Sequence, residues 1–159
     1  MNIRSATVED VSLIFSFIQK KSEFDRNIGG FSGVLKVSED KIRKTLFGKI
    51  PFSYVVFVEN FEREIGFALY AFRYSSYMGQ PSIWLDDLYI DEDSRSQGAG
   101  LMLMNHLAEI AIENDCTHLA WNADSRNIRG LNFYQRLGAE ITEKQGNRCF
   151  LKWVPFSKV

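Results

Sequence analysis

Arg95-Ser96-Gln97-Gly98-Ala99-Gly100 separates two very different segments of the chain. Before it lies an apolar run that carries two carboxylates, from Ile83 to Ile90, which favours a strand. After it, Leu101 to Asn114 has the apolar periodicity of a helix. Glycines let backbone N–H groups approach a ligand closely, and a helix N-terminus attracts negative charge. The order strand, glycine loop, helix therefore predicts a phosphate-binding site.

Two common phosphate loops do not fit this segment. A P-loop needs Lys and then Ser or Thr after its last glycine, whereas Gly100 is followed by Leu101 and Met102. A dinucleotide fingerprint needs a third glycine, and Leu103 occupies that position. What remains is Arg-x-x-Gly-x-Gly entering a helix, and the glycines alone are equally compatible with an ordinary turn.

Composition restricts the possible classes of protein. The chain has 159 residues, is 45% hydrophobic and carries a formal net charge of -1. We expect one domain over residues 1–159, no nucleic-acid partner, no membrane segment and no metal site. The N-terminus lacks the layout of a signal peptide, and Cys116 and Cys149 form no close pair. These features favour a cytoplasmic protein with reduced thiols.

Apolar spacing and turn residues predict ten helices and strands. The predicted strands cover residues 3–5, 54–59, 65–72, 83–90, 118–122 and 150–154. One helix is predicted to begin near residue 7, and three others cover 38–46, 101–114 and 128–137. The order β-α-α-β-β-β-α-β-α-β predicts a mixed α/β (α+β) fold. Its central sheet is expected to be largely antiparallel and flanked by about four helices.

A second motif, N-I-R-G-L-N-F-Y-Q-R-L-G-A, runs from Asn127 to Ala139. Together with the preceding glycine loop, it resembles the GNAT superfamily of N-acetyltransferases. The resemblance implies the GNAT fold, acetyl-CoA as donor and an amine as acceptor. Three further segments, Ile65–Tyr70, Leu85–Ile90 and Asn132–Tyr134, look like the diamine branch, the spermidine/spermine and thialysine N-acetyltransferases. That branch implies a small primary amine as substrate and a homodimer.

The chain departs from that branch at three places. The branch usually has Glu-Asp where this chain has Asp86-Asp87. Its loop often reads R-G-x-G-x-G, whereas Ser96 replaces the first glycine here. Phe24-Asp25 matches the branch's Tyr-Glu only loosely. These departures bear on the identity of the amine.

Acetyl transfer requires a neutral amine, and Asp86 and Asp87 are the acids best placed to help. A Lys-type amine has a pKa of about 10.4, so its deprotonation at pH 7 costs about 4.6 kcal/mol. An ordinary carboxylate is a poor base for it, so binding of the ammonium group or ordering of a water are alternative roles. We take Asp86 as the catalytic candidate. A regular strand aims only one of the two at a cleft, and a bulge would change that. The alternative for either Asp is a role limited to pairing or capping at a strand end.

Tyr134 is the candidate proton donor for the departing thiolate, the role that the resemblance assigns to it. Transfer from a phenol to a thiolate is uphill by about 2 kcal/mol with ordinary pKa values. The alternative is a core aromatic residue, as expected for Phe133.

The resemblance also implies the remaining site residues. The backbone N–H of Leu88 would stabilise the oxyanion, and Leu88, Tyr89 and Ile90 would pair with the pantetheine arm. Besides Tyr134, the other donor-binding candidates are Arg95, Ser96, Gln97, Gly98, Ala99, Gly100, Leu101, Asn127 and Gly130. The candidates for acceptor binding are Phe24, Asp25, Trp84, Asp86, Asp87, Trp121 and Asn122.

Three functions are compatible with these motifs. The first is acetylation of a small diamine, polyamine or lysine analogue, and the second is acetylation of a protein or peptide amine. The third is a non-catalytic acyl-CoA-binding domain, which would need neither Tyr134 nor the paired aspartates.

Overall fold

The computed structural model describes residues 1–156, and these contain one seven-stranded sheet and four α-helices. The strands are β1 (Asn2–Ser5), β2 (Tyr54–Asn60), β3 (Arg63–Ser75), β4 (Gln80–Ile90), β5 (Leu119–Asp124), β6 (Glu140–Gln145) and β7 (Arg148–Trp153). The helices are α1 (Val11–Asn27), α2 (Glu39–Leu46), α3 (Ala99–Glu113) and α4 (Ile128–Leu137). Short 3₁₀ turns at Val8–Asp10 and Glu92–Ser94 precede α1 and α3. Among these residues, no helix combines the length and apolar character that crossing a membrane requires.

The strand order is β1-β2-β3-β4-β5-β7-β6. The neighbours pair antiparallel except β4 and β5, which are parallel. The predicted mixed, largely antiparallel sheet with four helices is therefore confirmed. The predicted element order was incomplete, because it gave one strand at 150–154 where the structure has the hairpin of β6 and β7.

The missing strand β6 has a physical explanation. All of its residues are exposed at the edge of the sheet, so its sequence lacks the alternation of a half-buried strand. The turn that follows has Gly146 at a φ of 58°, in the left-handed region that favours glycine. Gly146 and Asn147 are the local turn signal that identifies the hairpin.

Two apolar layers cover the two faces of the sheet. Val56 and Val58 pack on the side of α3, in a core that also contains Leu103, Leu107 and Trp121. The intervening Val55 and Phe57 pack on the opposite side against Ile14 and Phe17 of α1. Side chains alternate between the faces of a strand, so β2 anchors both layers.

Strands β4 and β5 separate soon after they meet. Their pairing covers Ile83 with Leu119 and Trp84 with Ala120. Immediately afterwards, the register with β3 skips Asp86, because Tyr70 faces Leu85 and Leu69 faces Asp87. This β-bulge inserts one residue and reverses the faces to which later side chains point. A cleft opens between the two strands beyond the bulge.

Candidate active site

A cavity of about 930 Å³ occupies this cleft. Its walls come from β4, the glycine loop, the first turn of α3, β5, α4 and the second half of α1. Residues of both sequence motifs therefore line the same cavity.

The N-terminus of α3 forms one end of the cavity. Gly98 precedes the helix with a φ of 89°, and the N–H of Met102 makes a helical bond to the Gly98 carbonyl at 2.9 Å. The N–H groups of Ala99, Gly100 and Leu101 therefore have no acceptor within the helix. All three residues line the cavity. Such a cluster of N–H groups at a helix N-terminus fits a pyrophosphate.

Gly100 also allows α3 and α4 to approach each other closely. A Cβ atom at this position would lie 3.3 Å from the ring of Phe133. That distance is tighter than most van der Waals contacts, so the Phe133 ring would have to shift by a few tenths of an ångström to admit a side chain. A glycine here thus keeps α3 and α4 in close contact beside the free N–H groups.

The open edge of β4 forms the floor of the cleft. The N–H of Asp91 donates to Ile65 of β3 at 2.8 Å. Alternate residues of an antiparallel strand face the same neighbour, so Leu88 and Ile90 direct their backbone groups away from β3 and into the cleft. This edge is suited to pairing with the amides of a pantetheine arm, with the Leu88 N–H available to a carbonyl oxygen.

Arg95 lines the cavity, but its side chain also holds the loop in place. Its Nε donates to the Ile90 carbonyl at 2.9 Å. The guanidinium lies 5.3 Å from the ring centre of Phe24 and 5.4 Å from that of Tyr89. Cation–π contacts at these distances tie the loop to α1 and β4.

Tyr134 lies in the wall of the cavity with 9% of its surface exposed. Burial raises the pKa of its phenol, and the nearby carboxylates of Asp25 and Asp87 raise it further. Its ring centre is 5.0 Å from that of Trp121. The Nε1 of Trp121 is buried without a hydrogen-bond partner among the described residues. Tyr134 therefore keeps its proton at neutral pH, and its raised pKa makes transfer of that proton to a thiolate more uphill than transfer from an ordinary phenol.

The two neighbouring aspartates have different environments. Asp86 is the exposed bulge residue and lines the cavity, whereas Asp87 is partly buried behind its wall. Burial raises the pKa of Asp87 to about 6, Lys21 opposes this shift, and Asp86 and Asp25 add to it. The Nζ of Lys21 lies 2.5 Å from Asp25. Lys21 thus pairs with Asp25 and opposes the charge of Asp87, whereas Asp86 adds negative charge next to Asp87.

The structure brings most of the predicted residues together around the cavity, but Asp87, Trp84 and Gln97 do not line it. Phe24, Asp25, Trp121 and Asn122 line the cavity, together with the loop, β4 and α4 residues described above. Trp84 does not line it, because its ring packs 3.9 Å from the guanidinium of Arg73. The Gln97 side chain also turns away from it and donates to the Asp93 carbonyl at 3.3 Å.

Asn127 and Gly130 line the cavity and also determine where α4 begins. The Asn127 Oδ1 accepts the N–H of Gly130 at 3.0 Å, as an N-cap should. A Cβ atom on Gly130 would approach the Asn127 amide to 2.4 Å, so any larger residue would displace the Asn127 side chain from its present position. The predicted end of the helix at Gly138 is confirmed by its φ of 98°.

Sequence reasoning missed several residues of the cavity wall. Lys21 is one, although its i,i+4 spacing from Asp25 was a readable signal of an ion pair. Gln145, Asn147 and Arg148 come from the unpredicted hairpin of β6 and β7. Within residues 1–156, no group of three or more His, Cys, Asp or Glu side chains is arranged to hold a metal ion.

Comparisons with known proteins agree with this geometry. Residues 31–139 match the Acetyltransferase (GNAT) family. A thialysine N-epsilon-acetyltransferase of Bos taurus is 31% identical over 157 residues, which cover 93% of this chain and 89% of that protein. An L-ornithine N5-acetyltransferase of Arabidopsis thaliana is 23% identical, with 87% of this chain and 79% of that protein covered.

Solved structures show the same fold. The PaiA N-acetyltransferase of Thermoplasma acidophilum, in complex with coenzyme A, has a TM-score of 0.75 at 14% identity and covers 96% of this chain and 97% of its own. The chain belongs to the GNAT family of acetyltransferases, as its motifs predicted. It is an N-acetyltransferase that uses acetyl-CoA as donor. The α3 N-terminus and the edge of β4 have the donor groups that this cosubstrate needs.

Proposed function

We propose that the protein acetylates a primary amine of a small diamine, polyamine or lysine-like acceptor, by direct attack within a ternary complex. The carrying observation is the acidic end of the cavity, where Asp25 and Asp86 line the wall beside the buried Tyr134 and Asp87 lies behind it. The names of relatives that act on thialysine and L-ornithine, which both carry amino groups, support this substrate class.

The acidic end would hold the acceptor through charge. An acceptor of this class carries at least one ammonium group besides the one that reacts, and Asp86 is the carboxylate open to it. Lys21 lies 2.5 Å from Asp25 and neutralises its charge. This end of the cavity therefore retains net negative charge when Asp86 and Asp87 are ionised. A site with this charge favours cationic acceptors over neutral or anionic amines.

Deprotonation of the reacting amine favours Asp87 over Asp86 as the base. Transfer from an ammonium with a pKa of about 10.4 to an ordinary carboxylate is uphill by about 9 kcal/mol. With the Asp87 pKa raised to about 6, the same transfer is uphill by about 6 kcal/mol. Since Asp87 lies behind the wall, one water would carry the proton from the amine to it. Asp86 then binds and orients the acceptor. The proposed base is thus Asp87 and not Asp86, which was the catalytic candidate from the sequence.

Tyr134 would protonate the thiolate as it leaves. Its raised pKa keeps the phenol protonated over the whole working range of pH. The N–H of Leu88 would stabilise the oxygen of the thioester carbonyl, because β4 directs that group into the cleft. Deprotonation, oxyanion stabilisation and thiolate departure would then be assisted by Asp87, Leu88 and Tyr134 in turn.

A homodimer in the cytoplasm completes the proposal, and it rests on the resemblance to the diamine branch. Light scattering coupled to size exclusion tests the stoichiometry, since a mass of one chain at micromolar concentration contradicts the dimer.

An amine panel tests the proposed function. Thiol release from acetyl-CoA is measured with thialysine, lysine, ornithine, putrescine, spermidine and a lysine-containing peptide, and the products are identified by mass spectrometry. We expect turnover with at least one small cationic amine, and at least tenfold lower kcat/KM with the peptide. Turnover with the peptide alone would assign the protein to peptide acetylation, and no turnover with any amine would leave an acyl-CoA-binding domain.

A further inference from the structure

A side-chain hydrogen bond joins the two motifs across the cavity. The Nη2 of Arg129, in the first turn of α4, donates to the Oγ of Ser96 in the glycine loop at 2.8 Å. Both residues line the cavity. The contact joins the loop before α3 to the start of α4. The N-termini of these two helices converge on the end of the cavity that fits the donor.

Ser96 adopts a backbone conformation that serine rarely takes. Its φ is 61°, in the left-handed region that is strained for residues with a Cβ atom. Glycine would adopt it without strain. A serine in this position therefore indicates that its hydroxyl has a use, and the observed partner of that hydroxyl is Arg129.

The guanidinium of Arg129 retains donors after this bond. Arginine presents a planar fork of N–H groups that matches phosphate oxygens, and only one of them is directed at Ser96. Ser96 is three residues from Ala99, where the unpaired N–H groups of α3 begin. The bond thus holds a cation beside the cluster that fits a pyrophosphate.

We propose that Arg129 is a direct ligand of the donor's pyrophosphate and that Ser96 is the residue that positions it. The inference depends on acetyl-CoA as donor and not on the identity of the acceptor amine. Arg129 neutralises one phosphate from the α4 side while the N–H groups of α3 bind from the other. Ser96 fixes the rotamer of a long side chain that is otherwise exposed, which reduces the ordering entropy lost on binding.

Direct binding measurements test the proposal without any acceptor. The affinities of CoA, dephospho-CoA and pantetheine are measured by calorimetry or by competition, for the parent chain and for Arg129→Ala. We expect roughly tenfold weaker binding of both CoA and dephospho-CoA, because one charge-assisted contact to phosphate is lost. Pantetheine, which lacks the pyrophosphate, should bind both proteins equally.

Ser96→Gly tests the positioning role. It should weaken CoA binding by roughly threefold while relieving backbone strain, so that its melting temperature does not fall. In the Arg129→Ala background the same change should have no further effect on CoA affinity, which a double-mutant cycle detects as coupling. In steady-state assays with any accepted amine, both single variants should have a higher KM for acetyl-CoA and an unchanged kcat.

Lys144 provides the matched control for net charge. It lies on the fully exposed strand β6 and does not line the cavity, so Lys144→Ala should leave all three affinities unchanged. Equal losses for pantetheine and CoA in Arg129→Ala would mean a structural role and overturn the proposal. A loss for CoA but not for dephospho-CoA would assign Arg129 to the 3′-phosphate, and no loss at all would reduce the bond with Ser96 to a surface contact. Either outcome contradicts a pyrophosphate ligand.

Discussion

Tyr134 is the residue at which sequence and structure support each other most directly. Its place in the Asn127–Ala139 motif predicted the proton donor, and the structure adds burial, contact with Trp121 and a raised pKa. Substitution with Phe keeps the ring and removes the hydroxyl group that carries the proton. We expect Tyr134→Phe to lower kcat by about 10²- to 10⁴-fold and to change CoA affinity less than twofold.

Tyr70 is a suitable control for that experiment. It is also a buried tyrosine with a raised pKa, but it lies in β3 outside the cavity wall. Tyr70→Phe should therefore keep kcat within about twofold of the parent. Steady-state kinetics with a saturating amine measures both, and an unchanged kcat in Tyr134→Phe would remove the phenol from the mechanism.

Asp87 illustrates what a sequence does not disclose. Its carboxylate looks equivalent to that of Asp86 in the printed chain, and the bulge that separates their environments depends on the pairing of β3 with β4. Neither the shifted pKa nor the contributions of Lys21 and Asp25 can be derived before α1 is placed against the sheet. The identity of the base was therefore open at the level of sequence.

The raised pKa of Asp87 predicts a gain of stability on substitution. Between pH 4 and pH 6 the folded chain retains a proton that the unfolded chain releases, so this group lowers the free energy of unfolding as pH rises through that window. Asp87→Asn should be more stable than the parent at pH 7.5, on the order of 1–2 kcal/mol after allowance for partial exposure. This gain in stability should vanish below pH 4. The same substitution should lower kcat, because it removes the proposed base.

Thermal unfolding at pH 4 and pH 7.5 measures this difference. Asp86→Asn serves as the control, since its exposed carboxylate should change stability by less than about 0.5 kcal/mol. If Asp87→Asn is no more stable than the parent at pH 7.5, burial of the Asp87 carboxylate does not destabilise the fold.

At the scale of elements, the predicted helices agree with the structure better than the strands do. The apolar spacing and the caps Ser38 and Gly138 are local signals, and they gave α2 and α4 almost to the residue. The bulge at Asp86 and the exposed strand β6 depend on partners that are distant in sequence. Local patterns therefore predicted most of the elements that carry the site, but neither the β6–β7 hairpin nor the cleft.

The N-cap of α4 gives a prediction at this scale. Asn127→Ala removes the acceptor for the Gly130 N–H and should destabilise the fold by about 1 kcal/mol, or roughly 2–4 °C in melting temperature. Because α4 also forms a wall of the donor site, the KM for acetyl-CoA should rise. Ser38→Ala removes the matching cap of α2, where Ser38 accepts the Lys41 N–H at 3.2 Å. It should cost similar stability and leave KM unchanged.

Calorimetry and steady-state assays on the two cap variants distinguish a local from a general effect. A parallel rise of KM in both variants would mean that the donor site responds to overall stability. A rise confined to Asn127→Ala would tie the site to the start of α4, as the shared cavity wall requires.

Across the whole molecule, an ion network around Arg4 joins β1 to the rest of the sheet. Its guanidinium contacts Asp10 before α1, Glu59 of β2 and Glu64 of β3, at 2.8, 2.6 and 2.5 Å. The hydrogen bond from Arg4 is the main reason that the pKa of Asp10 lies below its usual range. One cation therefore holds three carboxylates that would otherwise repel one another.

Loss of that cation should make stability depend on pH in a predictable direction. The contribution of Asp10 is present above its unfolded pKa and is lost as pH falls through its lower folded pKa. Arg4→Met should therefore lower the free energy of unfolding at pH 7 by about 1–3 kcal/mol, and by less near pH 3, because the contribution of Asp10 falls below its unfolded pKa. Arg43→Met is the control, because the pair of Arg43 with Asp40 is exposed, and it should cost less than about 0.5 kcal/mol. Urea unfolding at both pH values measures the two differences, and an Arg4→Met loss that is equal at pH 3 and pH 7 would assign the role of Arg4 to packing over Phe57.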